Sequence, residues 1–224
     1  SQISVVAKTD WSWAPLFMDI DQDGYLDLFV SNGYKRDTKN NDIKFKLDAL
    51  KAEKGEVSLT EFLDLIPSVK IENYLFKNKG DLNFSDQRAN WGVNEKLNSN
   101  GAAYADLDND GDLDLILNNV DTLASIYENK IESQGKFIVL DFSELPESVS
   151  LGKKIKIETE KGIQVRENYF VRGFQSSVDK RQFIYCSEDD NFQKISIGET
   201  FELLQPEPNK SYKINESMAK TSRI

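Results

Sequence analysis

The sequence predicts a mainly β chain in two parts, a sheet unit that occurs twice and carries a helical insert, then a small β-sandwich or barrel-like unit. Three observations predict it. An aspartate-rich loop recurs at an offset of 87 residues, from Asp19 to Asp106, and each copy runs into a short apolar stretch. A stretch between the copies carries helix signals and has no counterpart in the second copy. Beyond Ser133 the chain breaks into short apolar or alternating segments bounded by turn residues, the pattern of a second β unit.

The repeat is extensive. With Asp19 laid on Asp106, Ser12 falls on Ser99, Phe17 on Tyr104, Leu28-Phe-Val on Leu115-Ile-Leu, and Asn32 on Asn119. A second shared element follows, Leu75-Phe-Lys-Asn78 in one copy and Ile126-Tyr-Glu-Asn129 in the other. From loop glycine to aromatic is 52 residues in the first copy (Gly24 to Phe76) and 16 in the second (Gly111 to Tyr127). The first copy therefore holds about 36 extra residues, between Tyr34 and Asn73. We expect a helical insert over about 36–70. Ser58-Leu-Thr-Glu61 reads as a capping box, with Phe62, Leu63 and Ile66 on one face and Pro67 as the stop. An earlier helix is expected from Asp42 to Lys54, with Phe45, Leu47 and Leu50 inward and Gly55 just past its end.

The expected domains are 1–132 for the repeats with their insert and 133–216 for the second β unit, with 217–224 as a flexible tail. In the second unit Lys136 to Phe142 reads as a compact apolar strand, and Gly152 to Thr159 alternates with Ile155 and Ile157 on one face. The pairs Ile163/Val165, Tyr169/Val171, Phe183/Tyr185 and Ile195/Ile197 mark four further strands. The chain opens directly into a strand-like stretch, so we expect a fragment or a removed leader.

Composition excludes several functions. Acidic residues number 38 against 28 basic, a net charge of −10, and nucleic-acid binding needs a basic face instead. No apolar run approaches the length that crosses a bilayer, so no membrane insertion is expected. The chain has no histidine, which removes His-based triads, the usual zinc sites and the commonest general base. Cys186 is the sole cysteine, so no intrachain disulfide can form, and a buried structural thiol is expected.

Nine aspartates lie in the two loops, Asp19-Ile-Asp21-Gln-Asp23-Gly24-Tyr-Leu-Asp27 and Asp106-Leu-Asp108-Asn-Asp110-Gly111-Asp-Leu-Asp114. Calcium takes six to eight oxygens, and a short loop supplies them when alternate carboxylates turn inward and a glycine permits the sharp turn. The expected ligands are Asp19, Asp21, Asp23, Asp27 and the Tyr25 carbonyl at one site. At the other they are Asp106, Asp108, Asp110, Asp114 and the Asp112 carbonyl. Four carboxylates held this close without a cation would raise one another's pKa at a cost in free energy. An EF-hand is excluded, because position 12 is Val30 or Leu117 rather than glutamate and the flanks read as strand.

With these loops, the aromatic-x-Asn element and Gly80-x-x-x-Phe84, the sequence resembles the FG-GAP/VCBS repeat family over about Asp10 to Lys130. Val171-Arg-Gly-Phe-Gln-Ser-Ser177 resembles the ASPIC/UnbV domain, although its usual Gly-rich start is reduced to Leu151-Gly-Lys-Lys. The resemblance implies integrin α-type calcium-binding β-propeller blades, here a partial propeller, since two repeats cannot close a ring. It implies a secreted, cell-surface or periplasmic, non-catalytic protein, an adhesion or binding module with two Ca2+ sites and a protein or glycan ligand. Extracellular calcium would fill even weak sites of this kind. The remaining blades would come from the rest of a longer protein or from another chain, and an open sheet edge makes self-association an expectation. The alternative is a carbohydrate-active enzyme or a component of a polysaccharide-utilisation complex, but no acidic pair outside the loops forms a catalytic signature. Trp11 and Trp13 on one strand face, with Trp91, are candidate sugar-stacking residues against an ordinary core role. Arg172, Phe174 and Gln175 form a second candidate patch. The insert is a third candidate docking surface.

Overall fold

The computed structural model describes residues 5–38, 40–132 and 135–219. It is mainly β, with several antiparallel sheets, none of them closed among the described residues. In the first part, β1 (Ser12–Met18), β2 (Asp27–Asn32), β4 (Tyr74–Asn78) and β5 (Phe84–Asp86) form a four-stranded antiparallel sheet in that order. The second copy gives β7 (Ser99–Ala105), β8 (Asp114–Asn119) and β9 (Ser125–Tyr127) as a three-stranded sheet. The short strands β3 (Ile71–Glu72) and β6 (Lys96–Leu97) pair with each other.

The repeat is exact in register. Ser12 pairs with Asn32 and Ser99 with Asn119, and the next pairs are Pro15–Val30 and Ala102–Leu117. Both hairpins carry a bulge at the same place, between Ser12 and Pro15 and between Ser99 and Ala102. Where the two sheets meet, the buried polar groups pair with one another. Ser31 Oγ donates to the Asn100 carbonyl (2.7 Å), Asn73 Nδ2 to Ser99 Oγ (3.1 Å), and Ser99 Oγ to Asn119 Oδ1 (2.7 Å). Paired in this way, buried hydroxyls and amides escape the cost of desolvation.

The insert leaves the first sheet at a Tyr34–Val69 bridge and folds as α1 (Asp42–Lys54) and α2 (Leu59–Leu65). The capping box at Ser58 and Glu61 is formed, and Ile66 is buried at the end of α2. The inward face of α1 differs from the expectation. Phe45 is 73% exposed, and Ile43 is buried in its place, with Leu47 and Leu50 half-buried. Ile43, Leu47 and Leu50 follow i, i+4, i+7 spacing, so they share one stripe and Phe45 lies outside it.

The second part contains β10 (Lys136–Asp141), a short helix α3 (Glu147–Ser150), β11 (Lys154–Thr159), β12 (Ile163–Glu167), β13 (Gln182–Cys186), β14 (Phe192–Ile197), β15 (Phe201–Leu204) and β16 (Lys210–Lys213). One sheet is ordered β13-β10-β16 and the other β12-β11-β14-β15, and all pairings are antiparallel except β10 with β16. Ile138, Leu140, Ile155, Ile157, Ile184, Cys186, Ile195 and Ile197 form the core of this part. The thiol of Cys186 is buried there and pushed up to about 11 by desolvation. Tyr169 to Val171 does not form the expected strand. That segment is a loop with a single Val171–Ser177 bridge, and β15 and β16 stand where no strand was expected. In the expected tail, Glu216–Met218 is a 3-10 turn and Ala219 bridges to Phe201, while 220–224 lie outside the described residues. Residues 133–134, at the expected boundary, also lie outside them.

The two parts share a core because strand side chains alternate between faces. On β13, Ile184 and Cys186 face the second core, whereas Phe183 and Tyr185 pack with Leu16, Met18, Phe29, Leu113 and Leu115 of the repeats. On β10, Ile138 and Leu140 face one way and Val139 the other. A sheet buried on both faces has a near-continuous apolar sequence, which accounts for the run Phe137 to Leu140. Among the described residues no helix is long and apolar enough to cross a membrane.

Candidate metal centre

Both loops bridge antiparallel strands, β1 to β2 and β7 to β8, and their backbones match at the two positions of positive φ. Gln22 and Asn109, at position 4, have φ of 58° and 63°. Gly24 and Gly111, at position 6, have φ of 96° and 97°. Two left-handed residues in a nine-residue loop curl the chain around a centre, and glycine carries the second at no steric cost.

The last aspartate anchors each loop. Asp27 Oδ2 accepts from the Ile20 N–H (3.0 Å) and Oδ1 from the Asn78 N–H (2.8 Å). Asp114 Oδ2 accepts from the Leu107 N–H (3.0 Å) and Oδ1 from the Asn129 N–H (2.8 Å). The recurrent aromatic-x-Asn element thus has a definite job: its asparagine backbone holds the carboxylate at position 9. The amide side chains go different ways, Asn78 to the Leu26 carbonyl and Asn129 to the Ile20 carbonyl of the other copy.

Of the expected ligands, Asp19, Asp21 and Asp27 bring one oxygen each within 4.8 Å of one another, and so do Asp106, Asp108 and Asp110. Asp23 stands outside the first trio, accepting from the Tyr25 N–H (2.9 Å) and pairing with Lys77 (3.2 Å). Lys77 also pairs with Asp21. Asp114 stands outside the second trio with both oxygens engaged by backbone N–H groups. Tyr25 is 53% exposed, but the residue at its position in the second loop, Asp112, is buried, and the charges of Asp110, Asp114 and Asp108 act on its carboxyl. Only the Asp112 carbonyl was expected to contribute, so its carboxyl is a neighbouring acidic group, outside the trio within 4.8 Å, that the motif alone does not predict. The spacing D-x-D at 110 and 112 was the available signal.

Burial sets the electrostatics. Desolvation holds the Asp19 carboxyl well above the usual carboxylate range and raises Asp21 and Asp106. It lifts Asp27 to about 7 against its two backbone hydrogen bonds, and Asp112 to about 7 with Asp110 and Asp114 adding to the rise. Each loop also contains one buried oxygen with no hydrogen-bond donor among the described residues, Asp21 Oδ1 and Asp112 Oδ1. A buried carboxylate oxygen left without a donor is costly, and a bound cation would satisfy it. All the side-chain donors are oxygens, which suits a hard cation such as calcium.

The second part of the chain lies against both loops. Arg166 sits 3.8 Å from Asp19 Oδ2, Arg181 donates to the Asp106 carbonyl (3.3 Å), and Tyr185 OH donates to the Gly111 carbonyl (3.0 Å). Compared with known proteins, the chain matches no family model, and none of the curated proteins matches it.

The other candidate residues fall elsewhere. Trp13 donates to the Gly33 carbonyl (2.6 Å) and packs on Phe174 with ring centroids 4.8 Å apart. Trp11 leans on Trp13 and Tyr34 at 6.1 and 5.4 Å. The two patches expected separately are therefore joined, with rings tilted against one another rather than laid out as a flat platform. Trp91 packs against the shared core.

Proposed function

We propose that both loops bind calcium and that the chain is a non-catalytic, calcium-stabilised binding module acting outside the cytosol. The single observation that carries this reading is the orphan carboxylate oxygen buried in each of two loops with the same backbone. Asp19, Asp21 and Asp27 would hold the first ion, with Asp23 joining as Lys77 withdraws. Asp106, Asp108, Asp110 and the Asp112 carboxylate would hold the second. An ion in either loop would favour the ionised form of carboxyls that burial otherwise keeps protonated, and it would brace the loop between its two strands.

The likeness to FG-GAP/VCBS blades followed by an ASPIC/UnbV-like unit belongs to the same proposal. It is supported by the matched loops, the matched bulges and the meander order β1-β2-β4-β5. In this reading the chain is part of a propeller whose other blades lie elsewhere, and a protein or glycan binds its strand faces or insert. Millimolar extracellular calcium would keep such sites filled.

The test is calorimetric titration of the chelator-stripped chain with calcium, paired with thermal unfolding. The expected result is uptake of two ions and a higher midpoint, with about 2.7 kcal/mol of stabilisation per site at a hundredfold excess over Kd. Absence of uptake overturns the reading.

A further inference from the structure

A cavity of about 470 Å³ opens between the repeats and the second part, beside the first loop. Into it project three guanidinium groups, Arg166, Arg172 and Arg181, in a chain whose net charge is −10. Such a concentration of cations in an acidic molecule calls for an account of what neutralises each one.

Arg181 is accounted for. Its guanidinium is bidentate on Asp179, with the shorter contact at 2.6 Å. Arg166 is almost fully buried, and its two hydrogen bonds go to neutral acceptors, the Phe183 carbonyl (2.9 Å) and Gln164 Oε1 (3.2 Å). Its nearest carboxylate, Asp19, lies at 3.8 Å, long for a hydrogen bond. Arg172 donates to the backbone carbonyls of Tyr169 (2.9 Å) and Glu167 (3.4 Å), and no carboxylate pairs with it among the described residues. Arg166, Arg172 and Tyr104 line the cavity together, and both guanidinium charges act on the Tyr104 phenol. At the mouth, Phe17 and Tyr169 are 47% and 43% exposed. A cavity of this size, whose walls mix apolar side chains with three arginines and the carboxylates of Asp19 and Glu167, has the character of a small-ligand site. Guanidinium groups favour carboxylates, and aromatic side chains favour a ring face.

We propose that this cavity binds a small carboxylate-bearing ring, its carboxylate held by Arg172 and Arg166 with the Tyr104 hydroxyl, its ring against Phe17 and Tyr169. The proposal goes beyond calcium binding and adjoins it at one residue, Asp19, which lines the cavity beside Arg166 and belongs to the first acidic trio. A sugar acid and an aromatic acid share this chemistry.

The full chain is titrated in low-salt buffer with glucuronate, benzoate and, as the neutral counterpart, glucose, by calorimetry and by ligand-observed NMR. At least one acid is expected to bind at roughly millimolar Kd or tighter while glucose does not. The acid that binds distinguishes sugar from aromatic ligand. Arg172→Gln is expected to weaken that acid at least tenfold and Arg172→Lys less. Tyr104→Phe, which removes only a hydroxyl, is expected to weaken it a few-fold. Each variant is first checked for an unchanged melting midpoint, and Tyr104→Phe serves if Arg172→Gln melts early. Binding of neither acid, or undiminished binding by the folded Arg172 and Tyr104 variants, overturns the proposal.

Discussion

Loop 1 and loop 2 have the same backbone, with left-handed residues at positions 4 and 6 and a position-9 aspartate clamped by two backbone N–H groups. Their surroundings differ. Lys77 reaches Asp21 and Asp23 of loop 1, whereas Glu128 occupies the matching place beside loop 2 and pairs with Lys130. Loop 2 has a fifth carboxylate at Asp112 where loop 1 has the exposed Tyr25. A repeated motif fixes what its own backbone can do, but the charge around it depends on residues between the motif positions and on a partner surface that is not repeated. Loop 1 has the β4 lysine paired with two of its four aspartates, whereas loop 2 has five aspartates, with Arg181 acting on Asp106.

The largest effect should come from the clamp, where the loops are alike. Asp27→Ala and Asp114→Ala each strand two N–H groups, buried at Ile20 and part-buried at Asn78, Leu107 and Asn129, at about 1–3 kcal/mol per group. Each is expected to cost about 4 kcal/mol in calcium, measured by urea unfolding. A loss at only one site would break the equivalence of the loops.

The next effect is pH dependence without metal. Asp27 and Asp112 are lifted to about 7 in the folded chain from an ordinary 3.8. The native state therefore keeps protons that the unfolded chain has released, and stability falls as pH rises from about 4 through about 7. Asp27 contributes at most on the order of 4 kcal/mol, at 1.36 kcal/mol per pH unit, and Asp112, which solvent screens more, contributes less. Denaturant unfolding between pH 5 and 8 in chelator should show this decline, and saturating calcium should remove it. A metal-free protein that grows more stable toward pH 8 would contradict the burial of these carboxyls.

A smaller effect separates the glycines. At Gly111 a Cβ would lie 2.6 Å from the Phe137 ring, whereas at Gly24 it would meet the movable Gln164 amide at 3.2 Å. Both positions have positive φ, so alanine is strained at each by about 1–2 kcal/mol. Gly111→Ala should cost about 1–3 kcal/mol more than Gly24→Ala because a packed ring must shift. Equal melting midpoints for the two variants would show that Phe137 yields freely.

The smallest effect tests the built-in cation. Lys77→Gln is expected to tighten calcium at loop 1 about tenfold, or about 1.4 kcal/mol. Glu128→Lys should weaken loop 2 by a similar factor. Titrations in chains with the other loop silenced by Asp108→Ala or Asp21→Ala resolve the two. Unchanged affinity in Lys77→Gln would mean that Lys77 leaves the loop at no cost.

Much of this was legible in the sequence, for identifiable reasons. The offset from Asp19 to Asp106 predicts a repeated strand unit, and the structure gives both copies one register, because a period-two strand admits no slip when one face is buried. The capping box at Ser58 and Glu61 placed the start of α2, since it is a purely local pairing. The inward face of α1 was misjudged at Phe45. A short helix beside the sheet buries only the stripe its neighbours cover, and hydrophobicity does not say which stripe that is. Tyr169 and Val171 alternate like a strand, yet Arg172 holds the Glu167 and Tyr169 carbonyls and Gly173, at φ 72°, turns the chain.

The sequence by itself determined the local features: two nine-residue loops, the strands they join, the helical insert and the acidic character of the sites. Each depends on neighbours a few residues apart, where spacing and residue type suffice. Only the tertiary structure decided which groups face those loops. Lys77 lies 56 residues from Asp21, and Arg166 and Tyr185 lie 147 and 74 residues from Asp19 and Gly111. Their approach follows from β13 burying Phe183 and Tyr185 against the repeats while its other face fills the second core. A two-faced sheet sets that docking through packing, and packing between distant segments leaves no period in the sequence.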